Sequence, residues 1–204
     1  MNVLVALETN ASPKYAERRK ICESTWGSRM PKGYFFESFD GPRLGVDDSY
    51  RGLCEKTKGI CQYARDNDYE WLLVVDDDCF VRTDRLQVPD ADYAGFCLPR
   101  PPEAWTYCAG SFYWLSRRAF SIVADAPLIP ERWTSAEDQW VGWTLGQHGI
   151  HPVRLAEVLL EPCPCRRCDP DKIPEEWVSY TMWIRFSPGL FSDFEKRYGL
   201  TAKP

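Results

Sequence analysis

The sequence has no long apolar run. Its apolar stretches, such as Trp71 to Val75, span a handful of residues, far short of the roughly 20 that a membrane helix needs. It lacks the basic leader of a secretory signal: Met1-Asn2-Val3-Leu4-Val5-Ala6-Leu7 has no cationic side chain and meets Glu8 at once. There is no internal repeat and no low-complexity tract. Neither sign of charge is in large excess, with 25 Lys and Arg against 30 Asp and Glu and a net charge of −5. That balance argues against a chain wholly devoted to gripping a polyanion, while leaving room for a local basic groove. Histidine is scarce, present only as His148 and His151. These absences lead us to expect a soluble chain of cytoplasmic location, with no membrane span.

What is present fits one domain over residues 1–204, with 44% apolar residues to build a core. Nine cysteines is an odd count for a secreted disulfide framework. Without an export signal, reduced thiols are the simpler reading. Cys22, Cys54 and Cys61 fall on apolar helical faces and serve as small hydrophobes. Cys163, Cys165 and Cys168 differ, lying in a Cys-, Pro- and Trp-rich C-terminal segment that starts at about 161. Three thiolates so close could bind Zn²⁺, with His151 or another cysteine as fourth ligand. Their spacing is not the usual paired arrangement, and surface thiols or a local disulfide compete with zinc.

Periodicity predicts strands alternating with helices. Residues 2–8 read as a buried strand, followed by a helix from Pro13, capped by Ser12, to about Trp26. Tyr15, Arg19, Cys22 and Trp26 then share one face, and an arginine there either snorkels or awaits an anion. Gly33 to Phe39 is strand-like. Tyr50, Leu53, Cys54, Thr57, Ile60, Cys61 and Ala64 form a helical stripe. Glu70 to Val75 is a continuous apolar strand of the kind found inside a parallel sheet. Asp92 to Cys97 and Tyr107 to Leu115 are further strands, with a loop at Pro99-Arg100-Pro101-Pro102 between them. Ser116 caps a helix to about Ala124, Ser135 caps another over 136–148, Val153 to Leu160 returns as a strand, and a short helix lies near Phe191–Tyr198. The class is α/β, with a central, mostly parallel and partly mixed sheet flanked by helices.

The strand at 70–75 runs into Asp76-Asp77-Asp78. Successive strand side chains alternate faces, so Asp76 and Asp78 point one way and Asp77 the other. Carboxylates at the carboxyl end of a central strand stand where open α/β sheets bind ligands. Such oxygen ligands suit Mg²⁺ or Mn²⁺ bridging to a diphosphate. A solvated acidic turn is the competing reading. Later, Asp138 lies in the first turn of a helix, where the dipole favours its ionised form. A carboxylate there can serve as a general base, or with Glu137 complete the helix cap. Gly110 reads as a strand bulge or as a point of close backbone approach.

Several stretches resemble glycosyltransferase family 31, which holds the β-1,3-galactosyltransferases and the fringe proteins. Asp48-Ser49-Tyr50-Arg51-Gly52 to Lys56-Thr57, followed by Tyr69 to Val81 with its Asp-Asp-Asp-x-Phe-Val, matches the family's turn, helix and strand. Arg19 with Thr25-Trp26-Gly27, Tyr107-Cys108-Ala109-Gly110 to Ser116, and Glu137-Asp138-Gln139-Trp140-Val141-Gly142 resemble three further motifs in order. The resemblance covers residues 2 to about 150. It implies a single GT-A (Rossmann-like) catalytic domain, a UDP-sugar donor, Mn²⁺ or Mg²⁺, and transfer of a hexose or N-acetylhexosamine with inversion. Asp78 then matches the metal ligand, with Asp76 facing metal, nucleoside and sugar. Asp138, or less closely Glu137, matches the catalytic base. Arg19, Lys56, Asp77 and Gly110 join the donor-binding set. Of Trp105, Tyr107, Trp114, Trp140 and Trp143, one or two would stack on sugar.

The pattern also departs from the family. No histidine lies in 178–188, where the family supplies a late metal ligand, and Arg185 could offset diphosphate charge instead. The family's animal members carry a membrane anchor and stem, so this chain reads as a trimmed catalytic piece or a compact cytosolic enzyme of a microbe or virus (host cytoplasm if viral). Its acceptor would be a glycan or glycoconjugate. Basic clusters at Arg18-Arg19-Lys20, Arg117-Arg118 and Arg166-Arg167 keep open hydroxymethylated pyrimidines in viral DNA. A haloacid-dehalogenase-type phosphatase, with Asp76 as nucleophile, is a distant alternative, since its motif normally lies on the first strand. A non-catalytic sugar-binding module is a third.

Overall fold

The computed structural model describes residues 1–100, 105–128, 136–156, 158–160, 178–181 and 188–197. Its strands are β1 (Val3–Glu8), β2 (Tyr34–Phe39), β3 (Trp71–Asp76), β4 (Cys79–Val81), β5 (Tyr93–Arg100), β6 (Trp105–Ser116), β7 (Val153–Arg154), β8 (Val158–Leu160) and β9 (Ser179–Thr181). Its helices are α1 (Pro13–Ser24), the single turn α2 (Gly41–Leu44), α3 (Leu53–Asp66), α4 (Arg117–Asp125), α5 (Glu137–Gln147) and α6 (Pro188–Arg197). Six strands form one sheet in the order β2-β1-β3-β6-β5-β7, and β4-β9-β8 form a smaller one. In the large sheet β1 is parallel to β2 and β3, while β6 runs antiparallel to both β3 and β5. This is the mixed α/β architecture the alternation of elements predicts. No described helix is long and apolar enough to cross a membrane.

The apolar runs of β1 and β3 are buried on both faces, as their lack of polar alternation requires. One face, with Leu4, Ala6, Leu72, Val74 and Leu115, packs on Ile60 and Cys61 of α3, Phe120 of α4 and Trp140 of α5. The other, with Val5, Leu7, Leu73, Val75 and Trp114, packs on Cys22, Trp26, Phe80 and Phe194. Alternate residues of one strand thus feed two cores. Cys22, Cys54 and Cys61 are buried free thiols, filling space as small hydrophobes.

Several boundaries differ from expectation. Ser12 holds the N-cap position of α1, but its hydroxyl makes no cap bond; its N–H donates to Asn10 Oδ1 instead. Tyr50 leaves the α3 stripe because residues 50–52 form a 3₁₀ turn out of phase with the helix, and it is 73% exposed. Lys56 is drawn inward on α3, with 2% exposure. β5 runs on through Pro99 and Arg100, expected as loop. β7 pairs only with Ala94 and Gly95, so Pro99 lies beyond it, on an edge that no described strand covers, where a missing N–H costs little. The strand expected over 153–160 is divided, β7 joining the large sheet and β8 the small one. α5 begins at Glu137 with Ala136 at its N-cap and no side-chain cap; Ser135, the expected cap, lies outside the described residues. Ser116 caps α4 as expected, accepting from the Ala119 N–H at 3.2 Å.

Candidate active site

β3 ends at Asp76, and Asp77 and Asp78 form a two-residue turn into β4, which leaves for the smaller sheet. The strict strand alternation expected across the triplet therefore stops after Asp76. All three carboxylates nevertheless line one cleft of about 720 Å³. The turn is pinned from several sides. Trp26, fully buried, donates Nε1 to Cys79 O at 3.1 Å. The Cys22 thiol reaches Asp77 O at 3.4 Å, and the Cys79 thiol reaches Ser111 O at 3.0 Å. Asp77 is itself engaged, accepting from Thr9 Oγ1 at 2.7 Å and pairing with Arg18 Nη1 at 3.4 Å. Asp78 accepts the Cys79 thiol at 3.7 Å and a backbone N–H, and no described donor reaches the Asp76 carboxylate.

The facing wall is an irregular stretch of β6. The register runs Gly95↔Tyr113, then resumes at Cys97↔Cys108, so the single residue Phe96 faces the four residues 109–112. This wide bulge carries Ala109, Gly110 and Ser111 out of the ladder and into the cleft. Tyr93 Oη fills the gap beneath, accepting the Cys108 N–H at 2.7 Å. The freed Gly110 N–H donates to Asp138 Oδ2 at 3.3 Å, and Gln139 N–H donates to Asp138 Oδ1 at 2.7 Å. A Cβ on Gly110 would stand 2.3 Å from Glu137 Oε1, the far end of a flexible side chain that would have to swing aside. The tighter approach is at Gly142, where a Cβ would lie 2.5 Å from Tyr107 Cβ, so only glycine lets α5 come this close to β6. Gly110 thus lies in a strand bulge, as one of its two readings has it.

Burial and mutual repulsion govern the electrostatics. Burial, then the charges of Asp78, Glu137 and Glu8, pushes Asp76 well above the ordinary carboxylate range. Burial and Asp77 raise Asp78 to about 6, against the pull of Arg18. Glu137 is driven well up by burial and by Asp138. Burial also raises Asp138, opposed by the N–H groups of Gln139 and Gly110. Glu8, at the end of β1 beside Asp76, is raised to about 7 by burial, opposed by Lys56. Its Oε2 accepts from Thr57 Oγ1 at 3.3 Å, and its Oε1 has no partner among the described residues.

Seven carboxylates therefore line the cleft, against Lys14, Arg18 and Lys56. Lys56 is committed to scaffolding, donating to Thr9 O at 2.7 Å and pairing with Asp48 at 2.9 Å. Such a surplus of hard oxygen donors, with Asp76 unpartnered, fits a divalent cation such as Mg²⁺ or Mn²⁺. Among the described residues no group of three or more His, Cys, Asp or Glu side chains is arranged to hold a metal. Asp76 and Asp78 could thus supply two ligands, leaving the rest to substrate oxygens and water, a common arrangement for Mg²⁺. His148 and His151 are exposed beyond the far end of α5, about 15 Å along the helix from Asp138. Arg185, Cys163, Cys165 and Cys168 lie outside the described residues.

Other expected residues are placed differently. Arg19 lies outside the cleft, paired with Asp40 at 2.9 Å. Its neighbour Arg18 lines the cleft with Tyr15, on the helical face that buries Cys22. Trp114 and Trp140 are core, Trp105 packs against Tyr107, and of the five aromatics considered only Tyr107 lines the cleft. Tyr50 joins it at the mouth, where burial and the charges of Glu137, Asp138 and Asp76 raise its hydroxyl. Sequence reading missed Glu8, Thr9, Arg18 and the part Asp48 plays with Lys56. Arg18 was recoverable, lying four residues before Cys22. The basic pair Arg117 and Arg118 is spent on Asp68 at 2.9 Å and Asp92 at 3.0 Å.

No family model matches the chain. Among solved structures, this chain is similar to a glycosyltransferase involved in the glycosylation of the major capsid of PBCV-1. The match has a TM-score of 0.59 over 96% of this chain and 100% of that one, at 13% identity. At that identity the likeness is one of fold. The α/β sheet flanked by helices described above is a glycosyltransferase fold of the GT-A, Rossmann-like kind.

Proposed function

We propose that this chain is an inverting glycosyltransferase that moves a hexose or N-acetylhexosamine from a UDP-sugar to a hydroxyl of a glycan or glycoconjugate. One observation carries the reading. The carboxylates Asp76 and Asp78 lie on one wall of a single cleft, and Asp138, held by two backbone N–H groups, lies on the other. An inverting transfer needs that division, with charge neutralisation on the leaving side and a base on the attacking side.

Asp138 accepts the proton of the acceptor hydroxyl as that oxygen attacks the anomeric carbon. Burial raises its basicity toward the working pH, and the Gly110 and Gln139 N–H groups fix its two oxygens. Glu137, behind Gly110, is the second candidate, but its raised value favours the protonated form. Gly110 leaves room for substrate against bare backbone. Asp76 and Asp78 would hold Mn²⁺ or Mg²⁺, whose Lewis acidity would stabilise the departing diphosphate. Arg18, shared with Asp77, adds positive charge on the same side. The motif resemblance to family 31 and the fold likeness both support this reading. The six described cysteines are free thiols, which fits a cytoplasmic enzyme.

A phosphatase of the haloacid-dehalogenase type would carry its nucleophile on the first strand, whereas Asp76 ends β3. A DNA acceptor gains nothing from Arg117 and Arg118, which are paired with acids. The test is mass spectrometry after incubation with a panel of UDP-sugars, Mn²⁺, glycan acceptors and hydroxymethylcytosine DNA. Gain of a sugar on a glycan, with release of UDP that Asp138→Asn and Asp78→Ala both suppress, is expected. Sugar on DNA alone would replace the acceptor, and undiminished UDP release by Asp78→Ala would sink the site.

A further inference from the structure

Cys97 and Cys108 stand directly opposite each other on the rung of β5 and β6 that closes the bulge. Opposed residues of an antiparallel pair have Cα atoms about 4.5–5.5 Å apart, within the roughly 4.4–6.8 Å that a disulfide accepts. The Cys97 thiol reaches Gly95 O at 3.9 Å, and the neighbouring Cys108 thiol favours its ionised form. Cys108 is fully buried, whereas Cys97 is half-buried and open to small reagents. The Arg154 guanidinium lies 4.5 Å over the ring of Phe96, and its charge reaches Cys97. With the Cys108 thiol as donor, these contacts bring Cys97 down to about 7, while burial raises Cys54 to about 12 and Cys61 beyond it. One half-buried sulfur with thiolate character beside one fully buried thiol is an arrangement that suits a peroxide-sensitive pair.

We propose that Cys97 and Cys108 form a redox modification site, oxidised to a disulfide by hydroperoxides and reduced again by dithiols. The Cys97 thiolate attacks one peroxide oxygen; the O–O bond breaks, hydroxide leaves, and Cys97 becomes a sulfenic acid. The Cys108 thiol gives its proton to the hydroxide, forming water, and its sulfur attacks that of Cys97. The S–O bond breaks, hydroxide departs, and the S–S bond forms. Two electrons have passed from the two sulfurs to the peroxide. The rung so tied adjoins residues 109–112, so the link anchors the bulge that carries Gly110 to Asp138.

The test uses the full chain and hydrogen peroxide, followed by alkylation, chymotryptic digestion and mass spectrometry. The expected product is a peptide pair joined through Cys97 and Cys108, lighter by two hydrogens and separated by dithiothreitol. Cys22, Cys54, Cys61 and Cys79 should remain alkylatable after unfolding. Cys97→Ser should abolish the link, and Cys108→Ala should leave a Cys97 sulfenic acid that dimedone captures. Amide exchange across 109–112 should slow in the linked form. Recovery of both cysteines reduced, linkage of Cys97 to a different cysteine, or a Cys108→Ala chain in which dimedone finds nothing would overturn the site. Unchanged exchange in a linked chain would overturn its hold on the bulge. None of these readings depends on glycosyl transfer.

Discussion

The Gly110 amide donates to Asp138 Oδ2 at 3.3 Å, joining a bulged strand to the first turn of a helix across the mouth of the cleft. This bond sets where the carboxylate points, and the bulge sets where the amide lies. Asp138→Asn keeps an oxygen to accept that N–H but removes the base. Turnover is expected to fall by about 10²- to 10⁴-fold, with UDP affinity by calorimetry little changed. Because burial raises Asp138 above the ordinary carboxylate value of 3.8, the acid limb of the kcat/KM profile should lie above it too, activity being lost as pH falls through that limb. Loss of UDP binding in parallel with turnover would instead mark a structural role.

Gly110→Ala forces a methyl group to within 2.3 Å of Glu137 Oε1. Because that oxygen ends a flexible side chain, the carboxylate can swing aside, and the cost is expected at the low end of overpacking, about 1 kcal/mol, readable as a slightly lower midpoint in urea unfolding. Shortening the clashing side chain in Gly110→Ala/Glu137→Ala should restore most of that stability. If the double variant were no more stable than the single one, the close approach of α5 would not be the cause.

Stability should fall as pH rises in the absence of divalent cations. Glu8 moves from an ordinary 4.5 to about 7 on folding, and Asp78 from 3.8 to about 6. Between each pair of values the folded chain binds more protons than the unfolded chain, so the contribution present at low pH is lost as pH climbs through the folded value. The melting temperature is expected to drop between about pH 4 and about pH 7. Glu8→Gln should flatten that slope, and Mn²⁺ should restore stability at the alkaline end. A slope of opposite sign in the apo protein would contradict the buried carboxylate cluster.

Trp26→Phe keeps most of the buried ring but removes the donor to Cys79 O, 3.1 Å away. Losing that bond costs about 0.5–1.5 kcal/mol. The same change loosens the turn bearing Asp77 and Asp78, so Mn²⁺-dependent UDP binding should weaken along with stability. Equal Mn²⁺-dependent affinity in variant and parent would separate the turn from its tryptophan support.

Where one periodicity dominates, the sequence is legible. The stripe Cys54, Thr57, Ile60, Cys61, Ala64 predicts α3, the run into Asp76 predicts a central strand, and Ser116 predicts a helix start; the structure agrees on each. What failed depended on partners distant in the chain. Asp77 and Asp78 read as a continuing strand because nothing local distinguishes a turn there, and the turn is held by Trp26, Cys22 and Ser111. The bulge needs β5 as a reference, so only Gly110 hinted at it. Arg18 and Arg19 are adjacent but roughly 100° apart around the helix, and the buried Cys22 was the phase marker to use. Glu8 and Lys56 read as the polar end of a strand and a helix flank, because one sequence does not show which charges a neighbouring loop will cover.

The antiparallel placement of β6 also bears on the order in which this molecule assembles. Its rungs with β5 join near neighbours, as in Arg100 to Trp105, whereas Val3 must find Trp71. Closing the longer span costs more chain entropy and delays contact formation. The hairpin that presents Gly110 is therefore expected to gain amide protection in pulse-labelled refolding before β1 does. The two walls of the cleft would then have separate folding histories, the reactive space arising only when β3, bearing Asp76, docks on β6.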